Sequence, residues 1–453
     1  MGAANPTAQL SARICEITFD TLDEVTISTV KRLVSDGVAV AVAGSVEAPP
    51  ALVAEYVREM DCGPRASVWG FGFRTSPLFA AYTNAVSMHV LDFEPMSSPP
   101  THAVSPTVPV ALALAEAHQA NGREIITACA KGFEMQGRVL LASSHARGSL
   151  PFHTPGVVGV MGSAVAASHL LGLNPQQLAN ALGMAASRCG GLPANTGSMV
   201  KCTHCGNAAA AGLEAALLAR RGFIANPGIL EAPHGYVATF FPKHFDYGAL
   251  LEFGRPYRCV DPGMAIKFYP SKYPTHFAIT AALQLRGAIG DPARVGEVRI
   301  LTPEIDDADR PQPRSGLEGK FSFQYTTAAA LLDGKVGIDS FTDERRFRSD
   351  MVELLGKTTV VRDPALSRDT RNMRVEVEIT LSDGTKHRKV CAKPPGTWGE
   401  PVDPEQHRAK VRDCLGVGLQ EPQLGRTLDL LDNLERLSVR ETGELMALLA
   451  SFI

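Results

Sequence analysis

Aromatic residues are scarce in this chain, 6% of 453 positions with two tryptophans. Base-stacking platforms and aromatic cages for cations therefore have little to be built from. Neither sign of charge is in excess, because 44 Lys and Arg stand against 47 Asp and Glu, a net charge of -3. Nucleic acid and polybasic membrane contact both need a cationic surplus, so neither is expected as a partner. No apolar run reaches the about 20 residues of a membrane span. The best candidate, Val157 to Leu173, is interrupted by Ser163, Ser168 and His169 and reads as a buried helix. HExxH, P-loop and GxSxG patterns are missing, and Gly70-Phe71-Gly72 has neither the third glycine nor the preceding strand of a dinucleotide fingerprint. Nucleotide enzymes and serine hydrolases drop out.

The nine cysteines, an odd number scattered from Cys15 to Cys414, make no disulfide framework and suit the reduced thiols of a cytoplasmic protein. Cys202-Thr203-His204-Cys205 has the spacing of half a zinc site, but neither Cys189 nor Cys259 completes a second pair. No metal and no cofactor is expected. The start, Met1-Gly2-Ala3-Ala4-Asn5-Pro6, lacks the basic region and apolar run of a secretory signal, and Pro6 stands where an acylation motif wants Ser or Thr.

What is present is ample apolar text, 45% of the chain, rich in Ala and Gly. The length allows two or three domains at about 150 residues each. Up to about Phe223 the pattern is helical: Asp20 to Val40, Pro77 to Phe93, Ser105 to Gln119, Glu124 to Ser144, Pro175 to Ser187, and a helix over 206–221 closed by Arg220, Arg221 and a Gly222 cap. After about residue 262 alternation takes over. Val295, Val298 and Ile300 read as one strand; Met373, Val375, Val377 and Ile379 read as another, turning at Ser382-Asp383-Gly384-Thr385 into a third near 386–391. Helical text returns at Pro404 to Cys414, Arg426 to Leu437 and Glu441 to Ser451. The fold class expected is mainly α: a large helical domain built from both chain ends, 1–264 and 401–453, with a smaller α+β domain at 265–400.

Four ionisable clusters sit in Gly- or Pro-rich turns. Asp92 and His102 flank a proline-rich loop ahead of an apolar helix. His153 opens a second helix, whose N-terminus favours a neutral imidazole. A glycine-rich loop delivers Lys201, Thr203 and His204 to the start of a third, an arrangement suited to anions. Lys267 and His276 lie at the expected domain junction, a preferred place for a site. Each has a plainer reading as a solvated or capping group. Lys201 fits that reading least, since no other charge falls between Gly190 and Ala211. In the stretch Lys320-Phe321-Ser322-Phe323-Gln324-Tyr325, the lysine reads as a surface charge and Tyr325 as a core aromatic. Together the clusters supply lysines for carboxylates and histidines for proton transfer. That is equipment for removing a proton beside a carboxylate and stabilising the anion with fixed positive charge.

The ordered set Asp92-Phe93 with His102, Phe152-His153-Thr154, Lys201-x-x-His204-x-Gly206, Ile266-Lys267-x-Tyr269-Pro270 with His276, and Phe321-Ser322-Phe323-Gln324-Tyr325 resembles the MmgE/PrpD family over nearly the whole chain. The resemblance implies a helical domain with an α+β lid, a homodimer, and a cleft lined by Asp92, His102, His153, Lys201, Lys267 and Tyr325. Lys201, His204, Lys267 and His276 would hold the substrate. The sequence departs from the family at Met96, where many members carry Thr, and at Ser271, where Cys is frequent. The implied activity is a cofactor-independent lyase, a dehydratase or decarboxylase of a small di- or tricarboxylate. An epimerase or isomerase of a dicarboxylate uses the same proton abstraction. Two other classes stay open: an iron–sulfur hydro-lyase using Cys202 and Cys205, and a non-catalytic carboxylate-binding protein.

Overall fold

The computed structural model describes residues 5–144 and 150–451; residues 1–4, quoted above as the chain start, lie outside it. The chain is mainly helical, 57% helix against 8% strand, as its text implies. Nine helices come first: α1 Pro6–Glu16, α2 Glu24–Gly44, α3 Ala48–Glu59, α4 Pro77–Val90, α5 Val104–His118, α6 Gly122–Ala142, α7 Pro155–Leu170, α8 Pro175–Ala186 and α9 Val200–Arg220. Short helices α10 Tyr236–Phe240 and α11 Tyr247–Leu251 follow. Helix α9 ends as expected, with Gly222 at φ 89°, but begins six residues earlier than the 206–221 reading. Lys201 and His204 are therefore on its first turns rather than in the loop before it.

Small residues decide how closely these helices approach. A Cβ on Gly212 of α9 would stand 2.5 Å from Ser163 Cβ and from the Val160 carbonyl of α7. One on Gly206 would stand 2.7 Å from Val86 of α4 and 2.8 Å from the Tyr82 ring. Packing this tight brings the N-terminal turn of α9 against the C-terminal turn of α4, where Asp92 follows. No single described helix is long and apolar enough to cross a membrane; α2 and α3 meet that test only as a pair bent by 85°, and the inner half of α2 is buried.

Four strands form the main sheet, β5 Val295–Thr302, β6 Thr358–Arg362, β7 Val375–Leu381 and β8 Lys386–Cys391, in the order β6-β5-β7-β8. The β5–β6 pair is parallel and the others antiparallel. Strand β7 alternates buried and half-buried residues along its length. Helices α12 Thr275–Ile289 and α14 Phe323–Asp333 share one apolar cluster with the sheet. Short helices α13 Gly316–Gly319, α15 Asp343–Phe347 and α16 Ser349–Gly356 complete this part. Strand β6 and two small antiparallel pairs, β1 Ala66–Val68 with β2 Phe73–Thr75 and β3 Met96–Ser97 with β4 Met264–Ala265, leave no periodic trace in the text.

The last helices, α17 Pro404–Leu415, α18 Gln423–Asp432 and α19 Val439–Ala450, return to the N-terminal helices and share a second apolar cluster with α2, α5 and α6. A buried ion pair marks the return: Lys410 of α17 donates to both Asp36 oxygens at 2.9 Å, with His407 Nε2 at 3.1 Å. The close contact at Gly212 gives a test. Gly212→Ala should overpack the α7–α9 seam and lower unfolding stability by about 1–3 kcal/mol in urea titrations.

Candidate active site

Asp92 lies two residues beyond the end of α4, in a left-handed conformation at φ 52°, with its N–H donating to the His89 carbonyl. A non-glycine residue at positive φ is held there by its surroundings. Lys201 Nζ donates to Asp92 Oδ2 at 2.8 Å; Lys267 Nζ donates to Oδ1 and, at 2.8 Å, to the Asp92 carbonyl. All three residues are buried. Burial opposes the Asp92 charge, but the two ammonium groups outweigh it and hold the carboxyl well below its usual range. Lys201 is held above the ordinary lysine value, since Asp92 and Glu94 together exceed the cost of burial. In Lys267, fully enclosed, burial dominates and pushes the value down.

Four imidazoles surround this pair. The His102 Nε2 atom is 3.9 Å from Asp92 Oδ1. Ring centroids of His89 and His102 are 4.5 Å apart, those of His89 and His153 5.6 Å, and those of His153 and His204 5.1 Å. The Nδ1 atoms of His153 and His204 are 3.0 Å apart, so one ring donates to the other. Burial, followed by the Lys201 ammonium, pushes His153 well below the usual imidazole range and His204 down as well. The sequence argument gave the helix N-terminus as the cause for His153; burial and Lys201 are the ones that act. His89 is pushed down to about 3, chiefly by burial.

The structure thus gathers Asp92, His102, His153, Lys201, His204 and Lys267. His276 stands behind them: fully buried, its Nε2 donates to the Ser271 carbonyl at 3.2 Å, which also accepts from Lys267 at 3.3 Å. Tyr325 lies in the apolar cluster of the sheet, its hydroxyl donating to the Ser340 carbonyl at 2.5 Å, and is not among the gathered groups. Met96 packs in that same cluster.

Lys320 requires a correction. The surface charge read from the sequence is 3% exposed, with Nζ 3.4 Å from the Leu91 carbonyl and 3.5 Å from that of Pro270. The chain folds its Gly319–Phe321 turn over the Asp92 loop, a long-range event without local trace. Two groups escaped the sequence argument. His89 lies within the apolar text of α4 and Glu94 within the proline-rich loop after Asp92, and neither was singled out; their five-residue spacing was the only signal.

Donor atoms of His89, His102 and His153 fall within 4.8 Å of one another, as do those of Asp92, Glu94 and His102. A cation there would face two lysines that already occupy both Asp92 oxygens. Cys202 and Cys205 pack in different apolar clusters, and burial pushes Cys202 up to about 12 and Cys205 well above the ordinary thiol value. Free space beside His89, Lys201 and Phe321 is only about 10 Å³, enough for one water, so a larger ligand needs the site to open. A roomier cavity of about 850 Å³, near Ser67, Glu116 and Arg440, lies away from these groups.

Comparison with known proteins agrees with the geometry. Residues 8–247 match the MmgE/PrpD N-terminal domain and residues 269–436 the C-terminal domain. This chain belongs to the MmgE/PrpD family. Similar proteins include cis-aconitate decarboxylase of Mus musculus, 31% identical over 90% of this chain and 86% of that one. The Homo sapiens enzyme of the same name is 30% identical over 92% and 89%. The 2-methylcitrate dehydratase of Cupriavidus necator is 27% identical over 84% and 85%. The protein is an enzyme of the MmgE/PrpD type.

The buried Lys320 gives a test of the electrostatics. Burial pushes it down to about 8, against about 10.4 in an unfolded chain. Between those values the unfolded state binds more protons, so this group's contribution to stability rises with pH across that window and is most unfavourable below it. Lys320→Met should therefore stabilise the protein at pH 7, by up to about 3 kcal/mol, and the gain should shrink towards pH 10 in urea titrations at the two pH values.

Proposed function

We propose that the protein is a cofactor-independent lyase for a small tricarboxylate, acting by proton transfer at a carbon next to a carboxylate. One observation carries the reading: two ammonium groups, Lys201 and Lys267, meet at a single buried carboxylate beside His153, whose imidazole is held well below its usual range by burial and by Lys201. Fixed cations stabilise negative charge as it develops on a substrate, and neutral imidazoles can take or return a proton. In this reading Lys201 and Lys267 hold substrate carboxylates, with His204 and His276 supporting them. His102 and His153 move protons, and Asp92 keeps the two cations in place. Tyr325 would join only after a rearrangement of its segment.

Both reactions named among the relatives fit this equipment. In decarboxylation the C–C bond to the departing CO₂ breaks, and its electron pair spreads over an allylic system onto a neighbouring carboxylate. A histidine that has taken up a proton from solvent as the substrate carboxylates bind then delivers it to carbon. In dehydration a neutral imidazole removes the proton beside a carboxylate, and an imidazolium protonates the leaving hydroxyl. The mouse and human similarities support decarboxylation of cis-aconitate as the first reaction to test. The reading also takes the chain as a helical unit at 1–264 and 401–453 with a lid at 265–400, assembled as a homodimer.

The test is incubation with cis-aconitate, 2-methylcitrate and a panel of dicarboxylates in heavy water, followed by mass spectrometry. Loss of CO₂ or of water from a tricarboxylate is the expected result. Deuterium exchange at the α-carbon with no such loss would identify an epimerase instead. On the substrate found, Lys201→Met and Lys267→Met should each lower kcat by about two to three orders of magnitude, the scale for losing one anion-stabilising group. Full activity in both variants would sink the reading.

A further inference from the structure

Glu94 has no part in the reaction as outlined, yet it is fully buried in the middle of the cluster. Burial opposes its charge; His89 and His102 outweigh it and hold the carboxyl well below its usual range. One oxygen, Oε1, accepts from His89 Nδ1 and, at 2.9 Å, from the Ser105 hydroxyl. His102 Nδ1 lies 3.0 Å from that same oxygen, though out of line for a hydrogen bond. Such misalignment is common in empty sites and tightens when substrate arrives. The other oxygen, Oε2, is buried without a partner, so the carboxylate can rotate towards His102 at no cost in bonds there.

A carboxylate only accepts, so a ring nitrogen bonded to it must carry the proton. His89 is then an Nδ1–H tautomer, and His102 becomes one once its Nδ1, 3.0 Å from Oε1, lines up with Glu94; each ring then keeps a lone pair on Nε2. The remaining contacts agree. His89 Nε2 is buried with no hydrogen-bond partner, so no acceptor there calls for a proton. His102 Nε2 faces the side where Lys201 and Lys267 meet at Asp92, 3.9 Å from Oδ1 and beyond hydrogen-bonding distance. We infer that Glu94, backed by His89, is the positioning residue that fixes the tautomer and direction of His102, leaving Nε2 free to face the substrate. The inference rests on His102 being a proton-transfer group. When the substrate C–H bond breaks, its electron pair stays on carbon and the proton joins Nε2. Nδ1 keeps its own proton, and Glu94 stabilises the imidazolium, as the buried carboxylate of a serine-protease triad does.

The charged and titratable groups facing His102 are Asp92 and Glu94 of its own loop, His89 at the end of α4, His153 ahead of α7, Lys201 of α9, and Lys267 after β4. Removing the Glu94 charge takes away the carboxylate that stands 3.0 Å from His102 Nδ1.

The experiment has two arms. In the first, ¹⁵N-histidine NMR of the wild-type protein reads the tautomer directly; His102 should carry its proton on Nδ1, and a proton on Nε2 would overturn the inference. In the second, Glu94→Gln should lower kcat by about 10- to 100-fold with KM nearly unchanged, a smaller loss than that of a general base itself. Glu94→Asp should restore part of kcat. His89→Asn keeps a donor near the Nδ1 position and should retain more activity than His89→Leu. A folded Glu94→Gln enzyme with wild-type kcat would also overturn the inference. If no carboxylate is turned over by wild-type protein, the proposed reaction fails while the NMR arm still decides the tautomer.

Discussion

Three successive carbonyls, those of Leu91, Asp92 and Phe93, each accept from a different lysine. Lys320 reaches Leu91 at 3.4 Å, Lys267 reaches Asp92 at 2.8 Å, and Lys410 reaches Phe93 at 3.0 Å. With Lys201 on its carboxylate, the Asp92 turn is clamped by four ammonium groups from four separate stretches of chain. Elsewhere a backbone at φ 52° would relax; here each departure from it breaks a charge-assisted hydrogen bond. The turn cannot be complete until α9, the strand leading to Lys267, the Lys320 turn and the C-terminal helix α17 are all in place. The site is therefore a reporter of the whole fold.

Such an arrangement is poor value as a source of stability. Buried ion pairs roughly break even against apolar packing of the same volume, while removing one partner costs about 3–5 kcal/mol because a charge is left bare. What the arrangement supplies is preorganisation. Lys410 shows how far this extends: it holds Phe93 from behind and is itself neutralised by Asp36 of α2, with His407 beside them. The return of the last helices to the first ones is thus part of what aims the Asp92 turn.

The helical half was legible because α4 to α8 are long apolar runs, three of them started by the caps Ser76, Asn121 and Asn174; β5 and β7 were legible by alternation and β8 by the turn before it. The start of α9 was misplaced because Ser198 to Thr203 carries neither a clear cap nor a period. Strand β6 has five residues and sits at an edge, too short for a pattern. In the site, Asp92, His102, His153, Lys201 and Lys267 stood out because each adjoins a proline- or glycine-rich turn. Glu94 and His89 did not, since their meaning lies in a reciprocal contact across the end of α4. Lys320 was misread for a related reason. A lysine between glycine and phenylalanine looks solvated until the chain folds another turn over it.

The charges around the turn also order the events of the proposed reaction. Burial and the nearby Lys201 hold the His153 imidazole well below its usual range. A carboxylate substrate entering between the lysines adds negative charge beside the rings. It opposes the Lys201 contribution directly, so imidazole basicity rises on binding. Protons are then taken up with the substrate, by the same linkage that couples any charge to its neighbour. A group that is a poor proton acceptor in the free enzyme becomes an effective acid or base only when the anion it serves is present. In the proposed reaction the excess of lysine over aspartate at this turn attracts the substrate, and with burial, the larger cause, it holds His153 below the usual imidazole range.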